Sequence, residues 1–251
     1  MEAKKIIITG GATRIGSAIA KSLVSFETKI GIHFNKSKSS ALKLKKELEE
    51  LGAETFLLKA DLNNFKQSNN LIRTAHKKMK GLDCLINNAS MFENDKLENF
   101  STDSWNKHLN INLKAPAMLS KEFAKNIKGK YINIINIIDQ RVFKLTPFFF
   151  SYTLSKTGLY TLTKTSAMSL APKIRVNGIA PGPTIKNKRQ SKIHFKKQYL
   201  ATPLKQQVNV DEISNAVDFF IKNSSITGQV ISIDSGQSLN WQTPDIMEGK
   251  E

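Results

Sequence analysis

The sequence predicts an α/β protein in which about seven parallel strands form one doubly wound sheet with helices on both faces. Two observations lead to this prediction. Short apolar runs alternate with helical patterns along almost the whole chain, and a glycine-rich turn follows the first run directly. Such alternation is typical of βαβ units and a parallel sheet. Right-handed crossovers then place ligands at the carboxyl ends of the strands.

The elements can be assigned in order along this alternation. The first strand is the isoleucine run before Gly10, and apolar residues recur at helical spacing from Ile15 onwards. The strands are predicted at residues 4–9, 28–34, 53–59, 82–87, 131–138, 173–178 and 229–233. The helices are predicted at residues 15–26, 39–51, from the loop at 61 to about 79, 103–127, 151–171 and 211–222. Residues 1–251 then form a single domain with a long basic loop at 184–208 and an irregular tail after Trp241.

Composition limits the class of protein. The chain has 251 residues, of which 40% are hydrophobic, so a sizeable core can be buried. No apolar run approaches the length of a membrane span, and the first strand begins too early for a signal peptide. The single cysteine, Cys84, lies in an apolar run and is expected to be a small buried residue. We expect a cytoplasmic protein without a membrane partner.

The formal net charge of +17 suits nucleic acid, a membrane surface or an acidic substrate. Lysines are spread over the whole chain, and neither zinc-ligand spacing nor a helix-turn-helix signature is present, so nucleic acid is not an expected partner. One segment is denser in base and contains no acid. Its basic residues are Lys186, Lys188, Arg189, Lys192, Lys196 and Lys197. This segment either attracts an anionic substrate or is a solvated loop.

The turn after the first strand has the composition of a phosphate-binding loop. Glycines allow a tight turn and a close approach of the backbone to a diphosphate at a helix N-terminus. The predicted contacts to a dinucleotide are Gly10, Arg14, Ile15 and Gly16. The Arg14 guanidinium would add a bidentate anion donor; the alternative is an exposed arginine at a helix start.

The end of the second strand indicates which dinucleotide binds. A carboxylate there would hold the free ribose diol of NAD, but no acid lies between His33 and Ser37. Lys36 and the Ser37 hydroxyl suit a 2′-phosphate instead, so NADPH is the predicted cofactor. After the third strand, Asp61 and Leu62 either meet the adenine edge or begin the next helix.

Two further motifs follow along the chain. Asn88, Ala89 and Ser90 come after the fourth strand and are predicted to lie beside the nicotinamide ribose. Tyr152 and Lys156 are four residues apart in a predicted helix, so they share one face. Because an ammonium favours a nearby phenolate, we expect the pKa of Tyr152 to be lowered towards neutrality. Tyr152 would then be a usable general acid, although a solvated helix face is the alternative.

Taken together in order, these motifs resemble the short-chain dehydrogenases/reductases over nearly the whole chain. The matching residues are Thr9, Gly10, Gly16, Asn87, Asn88, Ala89, Asn112, Tyr152, Lys156, Pro181 and Gly182. The resemblance implies one Rossmann-like domain and a homotetramer. It also implies cofactor contacts from Pro181 and Gly182. Asn112 would support a proton-relay water, or is an ordinary polar helix residue.

Two departures from the family pattern narrow the resemblance. Arg14 replaces the usual middle glycine, and Asp139, thirteen residues before Tyr152, replaces the usual catalytic serine. Both changes together are similar to the pteridine reductase branch, which includes dihydromonapterin reductase-like enzymes. Ser90 and Phe92 match that branch's residues that hold the pterin.

That branch implies hydride transfer from NADPH to a C=N bond of a pterin or dihydropterin. Lys156 would hold the nicotinamide ribose, and Tyr152 would donate or relay the proton. A serine hydroxyl donates a hydrogen bond to a ketone, whereas an ionised carboxylate only accepts, so Asp139 suits the amino and ring N–H groups of a pterin. The alternative is that Asp139 caps a turn in a degenerate site.

The same branch implies contacts for other side chains. Phe92 would stack on one face of the pterin, with the nicotinamide on the other, and Arg14 would reach the pterin or the cofactor phosphates. His33 belongs with Lys36 and Ser37 to the 2′-phosphate region. The phenylalanines at 148–150 either wall the pocket or belong to the core or a subunit interface. Residues 184–208 would form the substrate lid.

Two other functions are open on the sequence. A general short-chain carbonyl reductase, such as a 3-oxoacyl-thioester reductase, would use the positive surface to attract an acidic carrier protein. Asp139 and Arg14 speak against it. A more remote alternative is a non-catalytic NADPH-binding or nucleic-acid-binding protein.

Overall fold

The structure is a computed structural model that describes residues 4–25, 27–125, 127, 132–187 and 189–241. Within these residues, seven strands form one parallel sheet in the order β3-β2-β1-β4-β5-β6-β7. The strands are β1 (Lys5–Ile8), β2 (Lys29–Phe34), β3 (Glu54–Lys59), β4 (Cys84–Asn87), β5 (Ile132–Ile137), β6 (Ile174–Pro181) and β7 (Val230–Ile233). The strand order reverses between β1 and β4, where doubly wound sheets bind their ligands. The predicted fold class is confirmed.

The helices cover both faces of the sheet. They are α1 (Arg14–Ser22), α2 (Lys38–Glu50), α3 (Phe65–Met79), α4 (Thr102–Leu109), α5 (Ala115–Lys125), α6 (Phe150–Leu170), α7 (Lys192–Leu200) and α8 (Val210–Lys222). Side chains along β1 alternate between two cores: Ile6 and Ile8 join the core under α1, α2 and α8, whereas Ile7 joins the core under α3 and α5. This alternation follows from the two-residue period of a strand. It explains why every residue of the run is apolar.

Two helical features differ from the prediction. The predicted helix at 103–127 is interrupted by a π-helical turn, Asn110–Lys114, between α4 and α5. A π turn inserts one residue without ending the helix, so the apolar pattern does not reveal it. The helix α7 lies in the stretch predicted as a loop. Only Phe195 of that helix is buried, so its periodic signal is weak.

Element ends also shift by a few residues. The first helix ends at Ser22 rather than at residue 26, and β6 continues to Pro181. Residues 26 and 131 and the predicted tail after Trp241 lie outside the described residues. Cys84 is fully buried, and burial raises the pKa of its thiol, which confirms its structural character. Over the described ranges, no helix has the length and apolar character needed to cross a bilayer.

Candidate active site

The glycine turn between β1 and α1 closes tightly against its neighbours. Gly10 has φ +60°, a left-handed conformation that glycine adopts without steric cost. A Cβ at Gly16 would lie 2.4 Å from the Gly10 carbonyl oxygen and 2.6 Å from Asn88 Nδ2. The turn therefore has no room for a side chain at Gly16, as expected where backbone must wrap closely around a ligand.

The start of α1 is suited to an anion. Thr13 precedes the helix without making a side-chain cap, and no acidic residue lies in the first turn. The positive end of the helix dipole is therefore not compensated by a local carboxylate. A diphosphate fits this position.

Arg14 connects the turn to the segment that follows β6. Its backbone has φ +56°, which accounts for the glycine that the family usually has here. Its guanidinium donates hydrogen bonds to the carbonyl oxygens of Ile185 (2.9 Å) and Lys186 (3.1 Å). Contacts of Arg14 with a phosphate or a pterin stay a prediction.

His33 does not face the 2′-phosphate region, which corrects its predicted role as a cofactor contact. It is 2% exposed, its Nδ1 accepts from the Gly10 N–H at 3.0 Å, and Nε2 lies 3.1 Å from the Ala60 carbonyl oxygen. Burial lowers the pKa of His33 to about 4, so the ring stays neutral and donates from Nε2. The His33 ring supports the glycine turn through its hydrogen bond to Gly10. Because both ring nitrogens are already hydrogen-bonded, neither is left for a cofactor.

The residues that follow β2 are open to solvent, and their contact with a 2′-phosphate stays a prediction. Lys36 and Ser37 are both exposed. Ser37 precedes α2, but its hydroxyl makes no cap to that helix. An ammonium and an uncommitted hydroxyl therefore stand side by side at the strand end, with no acid between Phe34 and Ser37.

Several other predicted cofactor residues form the framework of the crevice. Asn88 Nδ2 donates to the carbonyl oxygens of Thr9 (2.9 Å) and Gly10 (3.1 Å), and the Asn88 and Ala89 N–H groups donate to Thr9 Oγ1. The side chain of Leu62 is buried in the core, so it can meet adenine only through its backbone. These bonds fix the turn after β1 to the turn after β4.

The remaining predicted cofactor residues show local roles. Asp61 Oδ1 accepts from the Asn63 N–H at 3.0 Å, as expected if it organises the turn before α3. Pro181 ends β6, and a Cβ at Gly182 would lie 2.6 Å from Asp234 Cα. Gly182 is therefore required for the close approach of β6 and the turn after β7.

Tyr152, Asp139 and Lys156 come together at the carboxyl end of β5. The Tyr152 hydroxyl donates to Asp139 Oδ2 at 2.7 Å, while Asp139 Oδ1 accepts from the Arg141 N–H at 2.9 Å. Lys156 Nζ donates to the Ile137 carbonyl oxygen at 2.8 Å. Tyr152 and Lys156 are 4% and 2% exposed, so the prediction of a solvated helix face is excluded.

The predicted effect of Lys156 on Tyr152 is wrong. Burial, and then the Asp139 carboxylate, raise the pKa of Tyr152 well above its ordinary value, with Arg141 and Ser90 acting in the opposite direction. Burial lowers the pKa of Lys156 to about 8, opposed by Asp139. The phenol is therefore a protonated donor at neutral pH, because its hydroxyl faces a carboxylate and the ammonium is turned towards a backbone carbonyl.

Asn112 lies in the π turn and is fully buried. Its Oδ1 accepts from the Met91 N–H (2.8 Å) and the Ser90 hydroxyl (3.3 Å), and its Nδ2 donates to the Met91 carbonyl oxygen (2.9 Å) and Ser155 Oγ (3.0 Å). All its amide hydrogen-bonding capacity is used. The side chain thus orients the Ser90–Met91 backbone beside the tyrosine, and a relay water at Asn112 stays a prediction.

Phe92 forms an aromatic wall next to the tyrosine. Its ring stacks on Phe149 with centroids 4.5 Å apart and 3° between planes, and meets Tyr152 edge-on at 4.6 Å. The Arg141 guanidinium lies 4.4 Å from the Phe149 centroid. Of the three phenylalanines left open by the sequence, Phe149 contributes to this wall.

The 184–208 segment lies against both sides of the crevice. Arg14 bonds its first residues, and Arg189 Nη2 donates to the Phe92 carbonyl oxygen at 2.5 Å. The basic side chains of Lys192, Lys196 and Lys197 are exposed, whereas residue 188 lies outside the described residues. The segment is therefore attached to the cofactor turn and the aromatic wall by two arginines.

Sequence reasoning missed three buried residues beside the tyrosine: Asp95, His108 and Ser151. They are 6%, 0% and 0% exposed and hydrogen-bonded to one another. Their positions along the chain follow no fixed spacing, so only the fold brings them together. The run Ser151–Tyr152 was one available signal, because the residue before a functional tyrosine lies in the same helical turn.

Comparisons with known proteins agree with this geometry. A model of the short chain dehydrogenase family matches residues 4–196, so the chain belongs to that family. The FolM alternative dihydrofolate reductase 1 of Brucella canis, solved in complex with NADP, is 40% identical, with a TM-score of 0.92 over 96% of each chain. The predicted family is thereby confirmed.

Of two other similar proteins, one is described with a different activity and one only as a short chain dehydrogenase. The 3-oxoacyl-[acyl-carrier-protein] reductase FabG of Buchnera aphidicola is 33% identical over 93% of this chain and 97% of its own length. A short chain dehydrogenase from Burkholderia cenocepacia, also solved with NADP, is 27% identical, with a TM-score of 0.88 over 94% of this chain and 98% of that chain. Family membership therefore leaves the substrate open.

Proposed function

We propose that this protein is an NADPH-dependent reductase of pterins, which converts a dihydropterin to a tetrahydropterin. The observation that carries the proposal is the Asp139 carboxylate, whose Oδ2 accepts a hydrogen bond from the Tyr152 hydroxyl at 2.7 Å. A carboxylate cannot donate a hydrogen bond to a ketone oxygen and would repel a developing oxyanion. It can accept from the amino and ring N–H groups that a pterin presents.

The proposed cofactor is NADPH. The uncapped start of α1 and the close glycine turn fit its diphosphate. Lys36 and Ser37, without a neighbouring acid, fit its 2′-phosphate. The NADP in the Brucella canis and Burkholderia cenocepacia structures supports the same choice. Bound there, NADPH would supply the hydride for the C=N carbon.

The protein's own groups would supply the proton to the nitrogen of that bond. Because the pKa of Tyr152 is raised, the phenol is protonated before the reaction and can donate. The buried Lys156 ammonium would hold the nicotinamide ribose. Asn112 would act by holding the Ser90–Met91 backbone next to the reacting atoms.

Phe92 would provide the wall against which a flat heteroaromatic ring stacks. Its stacking with Phe149 covers one face of the ring and supports a wall that is rigid before the substrate binds. We propose that the 184–208 segment acts as the lid over this slot, since Arg14 and Arg189 join it to both sides. Ser90, whose hydroxyl favours the ionised form of Tyr152, would contact the pterin.

The second candidate function is reduction of a 3-oxoacyl thioester. It is favoured by the 33% identity to the Buchnera aphidicola reductase and by the net charge of +17, which would attract an acidic carrier. The direct test is NADPH oxidation with dihydrobiopterin, dihydromonapterin, dihydrofolate and an acetoacetyl thioester. We expect turnover with at least one pterin. Turnover with the thioester alone would refute the proposal, and NADPH binding without any turnover would favour a non-catalytic protein.

We also propose a cytoplasmic homotetramer, as the resemblance implies. Light scattering should give the mass of four chains. A monomeric mass would exclude this assembly.

Lys36→Glu is expected to reduce the preference for NADPH over NADH. The ammonium would no longer bond the 2′-phosphate, and a carboxylate at this position can accept from a free ribose diol. Since a hydrogen bond to a charged group contributes about 1.5–3 kcal/mol, the ratio of kcat/KM values should change by roughly tenfold to a hundredfold. The measurement is kcat/KM with each cofactor.

The matched control is Lys43→Glu, which makes the same charge change on α2 at a side chain that is 81% exposed. This variant should retain the wild-type cofactor ratio. An equal change in both variants would show that general surface charge, rather than a contact from Lys36, sets the preference. A wild-type preference for NADH would refute the cofactor assignment itself.

A further inference from the structure

A buried hydrogen-bond chain lies directly beside the catalytic helix. The Glu93 N–H donates to His108 Nε2 at 3.1 Å, so this nitrogen is unprotonated and Nδ1 carries the proton. Nδ1 then donates to Ser151 Oγ at 2.6 Å, and the Ser151 hydroxyl donates to Asp95 Oδ2. The order of the chain is therefore histidine, serine, carboxylate.

This arrangement is not a hydrolytic site, although it contains the three residue types of one. In a nucleophilic serine the hydroxyl proton passes to the histidine, whereas here it is given to Asp95. Ser151 and His108 are both 0% exposed, so no substrate can reach the hydroxyl. The cluster acts through what it holds in place.

Asp95 caps the helix that carries the tyrosine, although it lies 55 residues before Phe150 in the chain. The first N–H groups of a helix have no partner within it, and Phe149, which precedes α6, makes no side-chain cap. The Ser151 N–H donates to Asp95 Oδ1 at 3.0 Å, and the Phe150 N–H donates to the Asp95 carbonyl oxygen at 3.2 Å. A carboxylate at this position also complements the helix dipole.

The neighbouring residue continues the same contact. Asn94 Oδ1 accepts from the Phe149 N–H at 3.1 Å. Phe149 has φ +58°, a conformation that is strained for a bulky residue and persists only when the surroundings enforce it. Asn94 and Asp95 together thus fix the three successive backbone N–H groups that lead into Tyr152.

We propose that Asp95, His108 and Ser151 are positioning residues, which hold the substrate wall at Phe92 and the proton donor Tyr152 in one fixed geometry. The 91–95 segment is bonded to α4 through His108, to the π turn through Asn112, and to α6 through Asp95. Phe92 lies within that segment, and its ring meets Tyr152 at a centroid distance of 4.6 Å. Weakening this hydrogen-bond chain lets the Phe92 ring and the Tyr152 hydroxyl move relative to each other.

The kinetic test uses Ser151→Ala and Asp95→Asn in the full-length protein. Both substitutions remove hydrogen bonds of the buried hydrogen-bond chain, and Asp95→Asn also removes the negative charge at the start of α6. Because misplacement of reacting groups by about 1 Å can cost up to a hundredfold in rate, we expect kcat with the dihydropterin to fall by about tenfold or more. The dissociation constant for NADPH, measured without substrate by fluorescence, should be unchanged because the glycine turn is not part of the chain.

The matched control is Asn209→Ala, which removes an exposed capping box at the start of α8. It should lower Tm, because a helix cap is lost, and leave kcat and KM at wild-type values. Wild-type kcat in both Ser151→Ala and Asp95→Asn, or an equal loss of kcat in Asn209→Ala, would overturn the proposal. If Asp95→Asn does not fold, Ser151→Ala decides alone, because it deletes a single oxygen atom.

The inference rests on the proposed function for its substrate, but a structural measurement separates the two. Turnover by the wild-type enzyme tests pterin reduction, whereas the crystal structure of Ser151→Ala tests positioning without any substrate. We expect the Phe92 and Tyr152 rings to separate in that variant. Rings that keep the 4.6 Å contact would refute the positioning role, even in an enzyme that reduces pterins.

Discussion

Asp139→Ser is expected to lower kcat/KM for a dihydropterin by about a hundredfold, in the range of a lost acid–base group. A serine hydroxyl has one neutral oxygen where the carboxylate has two that share a negative charge, so it accepts more weakly from the amino and ring N–H groups of the pterin. The same variant should gain activity on a ketone or thioester, because its hydroxyl can donate to a carbonyl oxygen. The measurement is steady-state NADPH oxidation with both substrate types.

Asp139→Asn separates the charge of this side chain from its shape. An asparagine still has an oxygen that can accept from the Arg141 N–H, as Asp139 Oδ1 does at 2.9 Å, so the turn after β5 should persist. Pterin turnover should nevertheless fall, since the negative charge is lost. Undiminished pterin activity in either variant would show that Asp139 only caps the turn.

The same substitutions should change the ionisation of Tyr152. After burial, the charge and hydrogen bond of Asp139 raise the pKa of this phenol. Without the carboxylate the phenolate is less disfavoured, so the pKa should move down and tyrosinate absorbance should appear at lower pH. An unaltered titration would mean that burial alone sets the value.

The fold was predictable because its signals are local and repeated. Each strand is a short apolar run, each long helix has one apolar face, and the alternation of the two admits few topologies. Gly10 and Gly16 were identifiable because a tight turn demands glycine. The π turn and α7 were not, since one adds a residue inside a continuous helical pattern and the other buries only Phe195.

Which residues form the candidate site was easier to predict from the sequence than the contacts those residues make. Tyr152 and Lys156 lie together as their helical spacing indicated, and Asp139 joins them at the position that the family resemblance implied. The direction of the Tyr152 shift was wrong because the sequence cannot show that the Lys156 ammonium turns towards a backbone carbonyl. His33 was misassigned for a similar reason: the sequence cannot show that its ring is buried and bonded to the Gly10 N–H and the Ala60 carbonyl oxygen.

Contacts between distant segments are the part that sequence patterns miss. Asp95 caps a helix that begins far along the chain, so the usual cap position next to α6 is filled by Phe149, which has no capping group. Arg14 was recognised as a departure from the family pattern, but its bonds to Ile185 and Lys186 depend on how β6 ends. Such pairings follow from the topology and not from any local period.

Gly16→Ala is expected to weaken NADPH binding by roughly tenfold to a hundredfold. The new Cβ would lie 2.4 Å from the Gly10 carbonyl oxygen and 2.9 Å from Gly11 Cα, and neither backbone atom can rotate away as a side chain can. Forcing a methyl group into a packed site costs about 1–3 kcal/mol, which corresponds to that change in affinity if the turn opens. Fluorescence titration of the folded variant with NADPH measures it.

Gly52→Ala is the matched control for this loss. Gly52 follows α2 with φ +97°, and a Cβ there would meet no atom within 4 Å, so the substitution strains the backbone by about 1–3 kcal/mol without crowding it. It should lower Tm and leave the NADPH dissociation constant unchanged. If both alanine variants bind NADPH as the wild type does, the glycine turn does not hold the diphosphate. A loss confined to Gly16→Ala would instead locate the cofactor at the start of α1, because the two variants share the glycine-to-alanine change and differ in where it is made.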